Sequence, residues 1–434
     1  MKKMSCLVGI SISICTVLLL ALSTGGSPAQ AATCGLRPCE APPPPPAGSC
    51  LASSSLGVSV SVSGTNVVVY VPKGNWGGGA LGVSAINIEG TSITPMKIVT
   101  PNVVNSCASN PVTGKTVCVA NNTDVYVLTG TTLSTTLTSG GSGTTSFSGG
   151  SCTNCSVVMD SLHNQAVIGL STASGPGFQF LNLATSPPAF GTAFKSLTAS
   201  HLISEDPLVD PSRTLLLSAN GANNYEIVNI ATPTAPKFFE NTISNAGFGE
   251  GDSAGEDCTT GIALATGEFS SPSQVFIADL TKATFTAGSP GTWTAPSKVQ
   301  TLTESFLSAG ACGIAVAQGT HTGIVTGEFG GNQITAITLP AASGIGTPAI
   351  GDWVSCSISA TFSQGNDPHT VTAYQSPSGA KDAFAVIANG GATQVAVVDL
   401  TKMLNKTTVP RTVAGHACAS LTLPASVVSF VTVP

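Results

Sequence analysis

Oxygen-bearing side chains recur at three similar places in this 434-residue chain. Glu205-Asp206-Pro207, Glu256-Asp257-Cys258 and Asn366-Asp367-Pro368 each set an acidic or amide residue beside a carboxylate, and Asn154-Cys155 offers a fourth, amide-only version. Brought to one point, Asn154, Glu205, Asp257 and Asp367 would form a set of hard oxygen donors of the kind Ca²⁺ gathers. His369, two residues beyond Asp367, would then stand beside such a site as a general base. The same residue types also have a simpler use. An Asp or Asn at the end of a strand bonds its own backbone and caps a turn. That use is preferred for the four oxygen ligands, as is a plain hydrogen bond from a strand-start position for His369. His163, His201, His321 and His416 are scattered without metal-ligand spacing.

The chain carries thirteen cysteines. Cys152-Thr153-Asn154-Cys155 is a Cys-x-x-Cys, but no βαβ pattern surrounds it, so a structural bridge is expected rather than a redox centre. No second Cys-x-x-Cys exists to complete a four-Cys zinc site. Cys107 and Cys118 flank a turn at Asn110-Pro111 and are placed to face each other across a hairpin. Cys258 and Cys312 start adjacent units and are expected to link them, which leaves Cys356 and Cys418 as a further pair. The Gly77-Gly78-Gly79 and Gly140-Gly141-Ser142-Gly143 runs precede no helix and lack a Gly-Lys-Ser/Thr end, so neither is a phosphate loop. No Gly-x-Ser-x-Gly stands in a strand-to-helix context, which excludes an α/β-hydrolase elbow. Asn121 and Asn405 open glycosylation sequons.

The elements that must position these residues follow one repeated pattern. A short alternating strand closes on Asn87, Thr129, Asn182, Asn229, Asp279, Thr338 and Asp399 in turn. Each is preceded by apolar alternation, as in Val275-Phe276-Ile277-Ala278-Asp279. A period near fifty residues, built of short strands and Gly-rich turns, predicts an all-β, seven-bladed β-propeller over residues 57–434. Leu208-Val209, Thr214–Ala219 and Tyr225–Ile230 write three strands of one blade. Ala425–Val433 reads as one more strand, expected to join the first blade's sheet so that N- and C-terminal strands close the ring. Residues 129–151, rich in Thr, Ser and Gly, are expected to form a long excursion between the second and third blades.

Upstream, Met1-Lys2-Lys3, an apolar run to Leu22 and Ala29-Gln30-Ala31 read as a signal peptide over residues 1–31. No other run is long enough for a membrane span. Residues 32–56, with Pro42–Pro46 and Cys34, Cys39 and Cys50, read as a stiff linker. Loss of Lys2 and Lys3 with the leader leaves 13 basic residues against 21 acidic ones. An acidic chain without basic clusters disfavours nucleic acid and anionic membrane as partners. Export makes disulfides the expected state of the remaining cysteines.

Tyr225-Glu226-Ile227-Val228-Asn229-Ile230-Ala231-Thr232-Pro233 resembles the LVIVD repeat of surface and secreted bacterial propellers related to the YVTN type. Phe178–Pro188 is a looser copy, and Val395–Thr401 is similar to the YVTN variant. The resemblance implies a seven-bladed ring and no single activity, because propellers host binding, scaffolding and catalysis alike. Asn154, Glu205, Asp257, Asp367 and the Pro368-His369 dipeptide also resemble the pore-metal arrangement of lactone-hydrolysing propellers. The expected function is a secreted, periplasmic or cell-surface, non-catalytic binding or scaffold protein for a protein or glycan ligand. The alternatives are a Ca-dependent lactonase-like hydrolase and a structural surface-layer component with the Pro-rich segment as its stalk.

Overall fold

A computed structural model describes residues 58–434 apart from 74–79, 148–149, 196–206, 221–223, 244–247, 249, 269, 271, 303–310, 328–331, 343–345, 363–370, 379–381, 389–392 and 414. The expected signal peptide and linker, with Cys34, Cys39 and Cys50, lie outside the described residues, as does the Gly77–Gly79 run.

The chain forms seven blades in a ring, a seven-bladed β-propeller. The inner strands, from blade 1 to blade 7, are Ser59–Ser63, Val104–Asn110, Asn154–Asp160, Leu208–Asp210, Glu250–Asp257, Ala311–Ala317 and Val371–Gln375. Second strands follow after tight turns, for example Leu215–Asn220 and Ile262–Glu268. The third strands end at Glu89, Thr129, Asn182, Asn229, Asp279, Thr338 and Asp399. Six of these seven ends are the closing residues of the sequence repeat; in the first blade the strand runs two residues past Asn87.

The closing residues stop their strands for a physical reason. Asn182 and Asn229 accept the backbone N–H two residues on, at 2.8 and 3.0 Å. Asp279 caps a 3₁₀ turn at Leu280–Lys282, and Asp399 caps a short helix at Leu400–Leu404. The side chain takes up a donor that would otherwise continue the ladder.

Seven apolar clusters fill the ring, one at each blade–blade seam. Strand periodicity divides each second strand between two of them. Leu215 and Leu217 face blade 5, while Leu216 faces blade 3. Val67, Val69 and Val71 face blade 7, while Val68 and Tyr70 face blade 2. This two-sided burial explains why these strands read as continuous apolar runs. Each Leu, Ile or Val so buried contributes about 1.5–3 kcal/mol.

The C-terminal strand, Val428–Thr432, corrects one expectation. It pairs with Gln394–Asp399 as the outer strand of blade 7 and does not join blade 1, whose four strands run from Ser59 to Ile98. The ring still closes where the chain's ends meet, through packing across the seam. Val433 lies in one cluster with Val58 and Val60, and Ser84 Oγ donates to Pro434 O at 2.8 Å. Glu89 of blade 1 accepts from Tyr374 and Ser376 of blade 7 at 2.9 and 2.7 Å. Because each blade completes its own sheet, the two ends need only side-chain complementarity.

Two segments that sequence periodicity does not reveal cover outer edges. Gly291–Thr294, inserted before the last strand of blade 5, pairs in parallel with Lys237–Thr242 of blade 4. Buried Trp293 anchors it, donating from Nε1 to Tyr225 O at 2.8 Å. Ala417–Thr422, inserted before the last strand of blade 7, pairs in parallel with Trp353–Ser357 of blade 6. There the Cys356–Cys418 disulfide and a stacked Trp353–His416 pair hold it. Both remove an open strand edge. The 129–151 stretch also differs from expectation. Thr132–Thr138 is the outer strand of blade 2, and a small hairpin at Thr145–Phe147 and Gly150–Cys152 follows.

Candidate functional site

Inner strands in a propeller run side by side, so each has an entry end and an exit end on opposite faces of the ring. At the exit end, four blades use the same turn. Asn110, Asp160, Asp210 and Asp257 close their inner strands and accept backbone N–H groups two or three residues on. Four residues after each stands a positive φ: Gly114 (66°), Asn164 (50°), Thr214 (54°) and Gly261 (72°). Thr214 is β-branched, so its left-handed backbone is strained and must be imposed by its surroundings. Blade 6 has Ala317 at the Asx position, with His321 at φ 52° four residues later.

These turns meet in a polar cluster across blades 4, 5 and 6. Arg213, nearly buried, donates from Nη1 to Asp210 Oδ2 at 2.7 Å, Glu256 Oε1 at 3.4 Å and Cys258 O at 3.3 Å. A side chain at Gly261 would strike its guanidinium, 2.5 Å from the nearest nitrogen. Asp257 Oδ1 accepts from Thr259 N and Oγ1, and Oδ2 pairs with His321 Nδ1 at 2.5 Å. Gln318 spans the same seam, donating to Glu256 O and accepting from Cys258 N.

Charge in this cluster is unbalanced. Glu256 is fully buried and its Oε2 has no hydrogen-bond partner. Desolvation, then the Asp210 carboxylate, push its carboxyl well above the usual range, and Arg213 offsets this only in part. Burial likewise raises Tyr225, with Glu256 adding to the effect. His321 is held above its ordinary value first by its hydrogen bond to Asp257, against partial desolvation. Glu256 also lines a small cavity with Leu208, Val316 and Ala373, where space remains for about one water.

Chemically, His321 and Asp257 form a proton-holding pair. The hydroxyls beside it are engaged: Thr259 donates to Asp257 Oδ1, Thr260 to Asp257 O, and Thr320 to Ala317 O. The cluster as described braces three blades.

Two of the four expected oxygen ligands, Asn154 and Asp257, are among the described residues, and they stand at opposite ends of inner strands. Asn154 starts the inner strand of blade 3 at the entry end; Asp257 finishes that of blade 5 at the exit end. An acidic pair in sequence looks the same before a strand as at its end, so residue type alone groups Glu256-Asp257 with the others. Asn154 is buried, its Oδ1 accepting from Ser139 Oγ at 2.6 Å and its Nδ2 donating to Asp124 O at 3.0 Å. Glu205, Asp206, Asn366, Asp367 and His369 lie outside the described residues, as does His201. Among the described residues, no group of three or more His, Cys, Asp or Glu side chains is arranged to hold a metal ion. Sequence reading sets His321 aside among the scattered histidines; it occupies the left-handed position that Gly114, Asn164, Thr214 and Gly261 hold in other blades, so no local signal marks it out.

Three expected disulfides are present: Cys107–Cys118, Cys152–Cys155 and Cys356–Cys418. The expected Cys258–Cys312 link is not supported by position, because Cys258 follows the exit end of one inner strand and Cys312 begins the entry end of the next.

No protein-family model matches the chain. No curated protein matches it either. Solved structures do resemble it. A protein from Lactobacillus plantarum superposes with a TM-score of 0.51 at 12% identity, covering 87% of this chain and 99% of that one. The Cps50 (Swd1) β-propeller domain of Myceliophteria thermophila gives 0.50 at 9% identity, covering 79% and 97%. At such identities the likeness establishes the propeller fold alone.

Proposed function

We propose that this chain is a secreted or cell-surface propeller that binds a protein or glycan ligand without catalysis, in the manner of LVIVD- and YVTN-type repeat proteins. One observation carries the reading: the two faces of the ring are built differently. Exit-end turns are tight, Asx-locked and cross-braced between blades. At the entry end, the last described strand of one blade and the inner strand of the next are separated in sequence by 12 residues (196–207), 9 residues (302–310) and 13 residues (358–370). Long connections on a rigid scaffold are where binding surfaces are placed. Disulfides in three blades, and the absence of a long apolar helix among the described residues, fit an extracellular setting.

The Ca-dependent hydrolase remains a second reading, supported by one fact. Glu205 and Asp367 stand three and four residues ahead of inner strands in sequence, and Asn154 begins one. The test is a panel of lactones and aryl esters given to the mature protein with calcium, beside saturable binding of labelled protein to a glycan array and to bacterial cells. Binding without turnover supports the proposal. Turnover abolished by EDTA overturns it in favour of the hydrolase.

A further inference from the structure

The outer strand of each blade ends a sheet, and an open sheet edge is a template for another strand. Six of the seven blades blunt that edge by a recognisable device. Blade 1 ends on only three residues, Met96–Ile98. The outer strands of blades 2 and 3, Thr132–Thr138 and Ala189–Lys195, each carry a register shift against the third strand, the mark of a bulge. Blades 4 and 6 are covered by Gly291–Thr294 and Ala417–Thr422. Blade 5 ends on Ser297–Thr301, which sets the exposed Lys298 on its edge. Blade 7 has none of these devices. Its outer strand, Val428–Thr432, keeps one register over all five residues and contains no charge and no proline. Among the described residues, no strand pairs with its outer side.

The ladder inside blade 7 fixes which groups this edge offers. Asp399 N donates to Val427 O and Val433 N to Thr393 O, at 2.8 and 3.0 Å. Odd-numbered residues therefore bond inward, and Val428, Phe430 and Thr432 turn their backbone groups to the open side. Val428 N is taken by Pro424 O at 3.3 Å. Phe430 and Thr432 have no backbone hydrogen-bond partner on that side among the described residues. The Phe430 ring leans on Phe362, with centroids 5.6 Å apart, and is still 42% exposed.

We infer that the outer edge of blade 7 pairs with the same edge of a second copy of this chain, antiparallel about a two-fold axis at Phe430. Such an interface uses one patch on both copies, so the strand must meet itself without conflict. With Phe430 on the axis, the two Phe430 residues exchange both backbone bonds, and each Thr432 N–H reaches the Val428 carbonyl of the other copy. The facing side chains are then Phe430 with Phe430, Ser429 with Val431 and Val428 with Thr432. All are neutral, and an aromatic pair directly across two strands is favourable. The edge of blade 5 would instead carry Lys298 into the join. A five-residue strand pair is small against the roughly 1,000 Å² of a lasting interface, so the dimer is reversible, populated near about 100 µM and dissociated near about 1 µM.

The test is sedimentation velocity of the mature protein from about 1 to about 300 µM, beside Phe430→Lys and Thr432→Pro. Lysine puts a charge on the axis. Proline removes an outward N–H that blade 7's own ladder does not use. The inference predicts a wild-type mass that climbs toward twice that of one chain as concentration rises, and a mass that stays at one chain in both variants. Hydrogen exchange gives an independent readout in wild type: the Phe430 and Thr432 amides should exchange severalfold more slowly at the highest concentration than at the lowest. A single-chain mass at every concentration would overturn the inference and leave this edge to a strand of another protein. Dimers equally strong in Thr432→Pro, or protection gained only outside residues 428–432, would overturn it in favour of another surface.

Discussion

The exit and entry ends of the inner strands are written in similar residues and put to different use. At the exit end, Asp210 is spent on its own turn and on Arg213 within it, and Asp257 on its own turn and on His321 of the next blade. At the entry end, Asn154 ties its strand to blade 2, and 12 and 13 residues of sequence separate Lys195 and Ser357 from the next inner strands, Leu208–Asp210 and Val371–Gln375. A carboxylate in a tight turn is saturated by backbone donors within three residues. One on a long connection has no such local partner dictated by its sequence. The short turns that close the inner strands therefore serve the scaffold.

The sharpest way to break this contrast is Arg213→Ala. It would leave Asp210 and Glu256 buried without their cation, an expected loss of about 3–5 kcal/mol in urea unfolding. A change below about 1 kcal/mol would show that the exit-end cluster does not brace the ring. Asn154→Ala removes two buried side-chain hydrogen bonds at the other end, to Ser139 Oγ and the Asp124 carbonyl, so a loss of about 1–3 kcal/mol is expected. If the same variant kept full stability and lost calcium binding, Asn154 would be a ligand and the hydrolase reading would gain.

How much of this was legible in the sequence depends on what each residue bonds. The strand-closing Asn and Asp residues marked third-strand ends correctly because their side chains cap the next two residues, a local event. Cys107 and Cys118 were readable because they face each other across a short hairpin. What failed was non-local. The placement of Glu256-Asp257 depends on which end of a strand the pair occupies, and the two edge-covering segments depend on a neighbouring blade's exposed edge. His321 joins a carboxylate 64 residues away, a distance no local pattern encodes.

Smaller effects sharpen the comparison through pH. His321 is raised by Asp257, so the pair stabilises the fold fully below about pH 6.5, the unfolded value, and this contribution is lost as pH rises through the folded value. Unfolding free energies of His321→Gln, measured from pH 5 to 9, should lack that decline. Equal slopes in wild type and variant would remove His321 from the exit-end brace. Glu256 carries the opposite burden. Its raised folded value means that the folded state holds a proton the unfolded state releases, so stability falls as pH rises above about 4.3 toward the folded value. Glu256→Gln should therefore be neutral or slightly stabilising at pH 7, by thermal melting. A marked loss would mean that the charged carboxylate is needed beside Arg213.

The most direct test of the division between the two ends is calcium titration by calorimetry on the mature wild type and on Asp257→Asn, each also melted with EDTA. The account predicts that Asp257→Asn lowers the melting temperature through the lost His321 pair and leaves any calcium heat unchanged. Calcium binding present in wild type and abolished in Asp257→Asn would contradict it and would make the exit-end carboxylate a metal ligand.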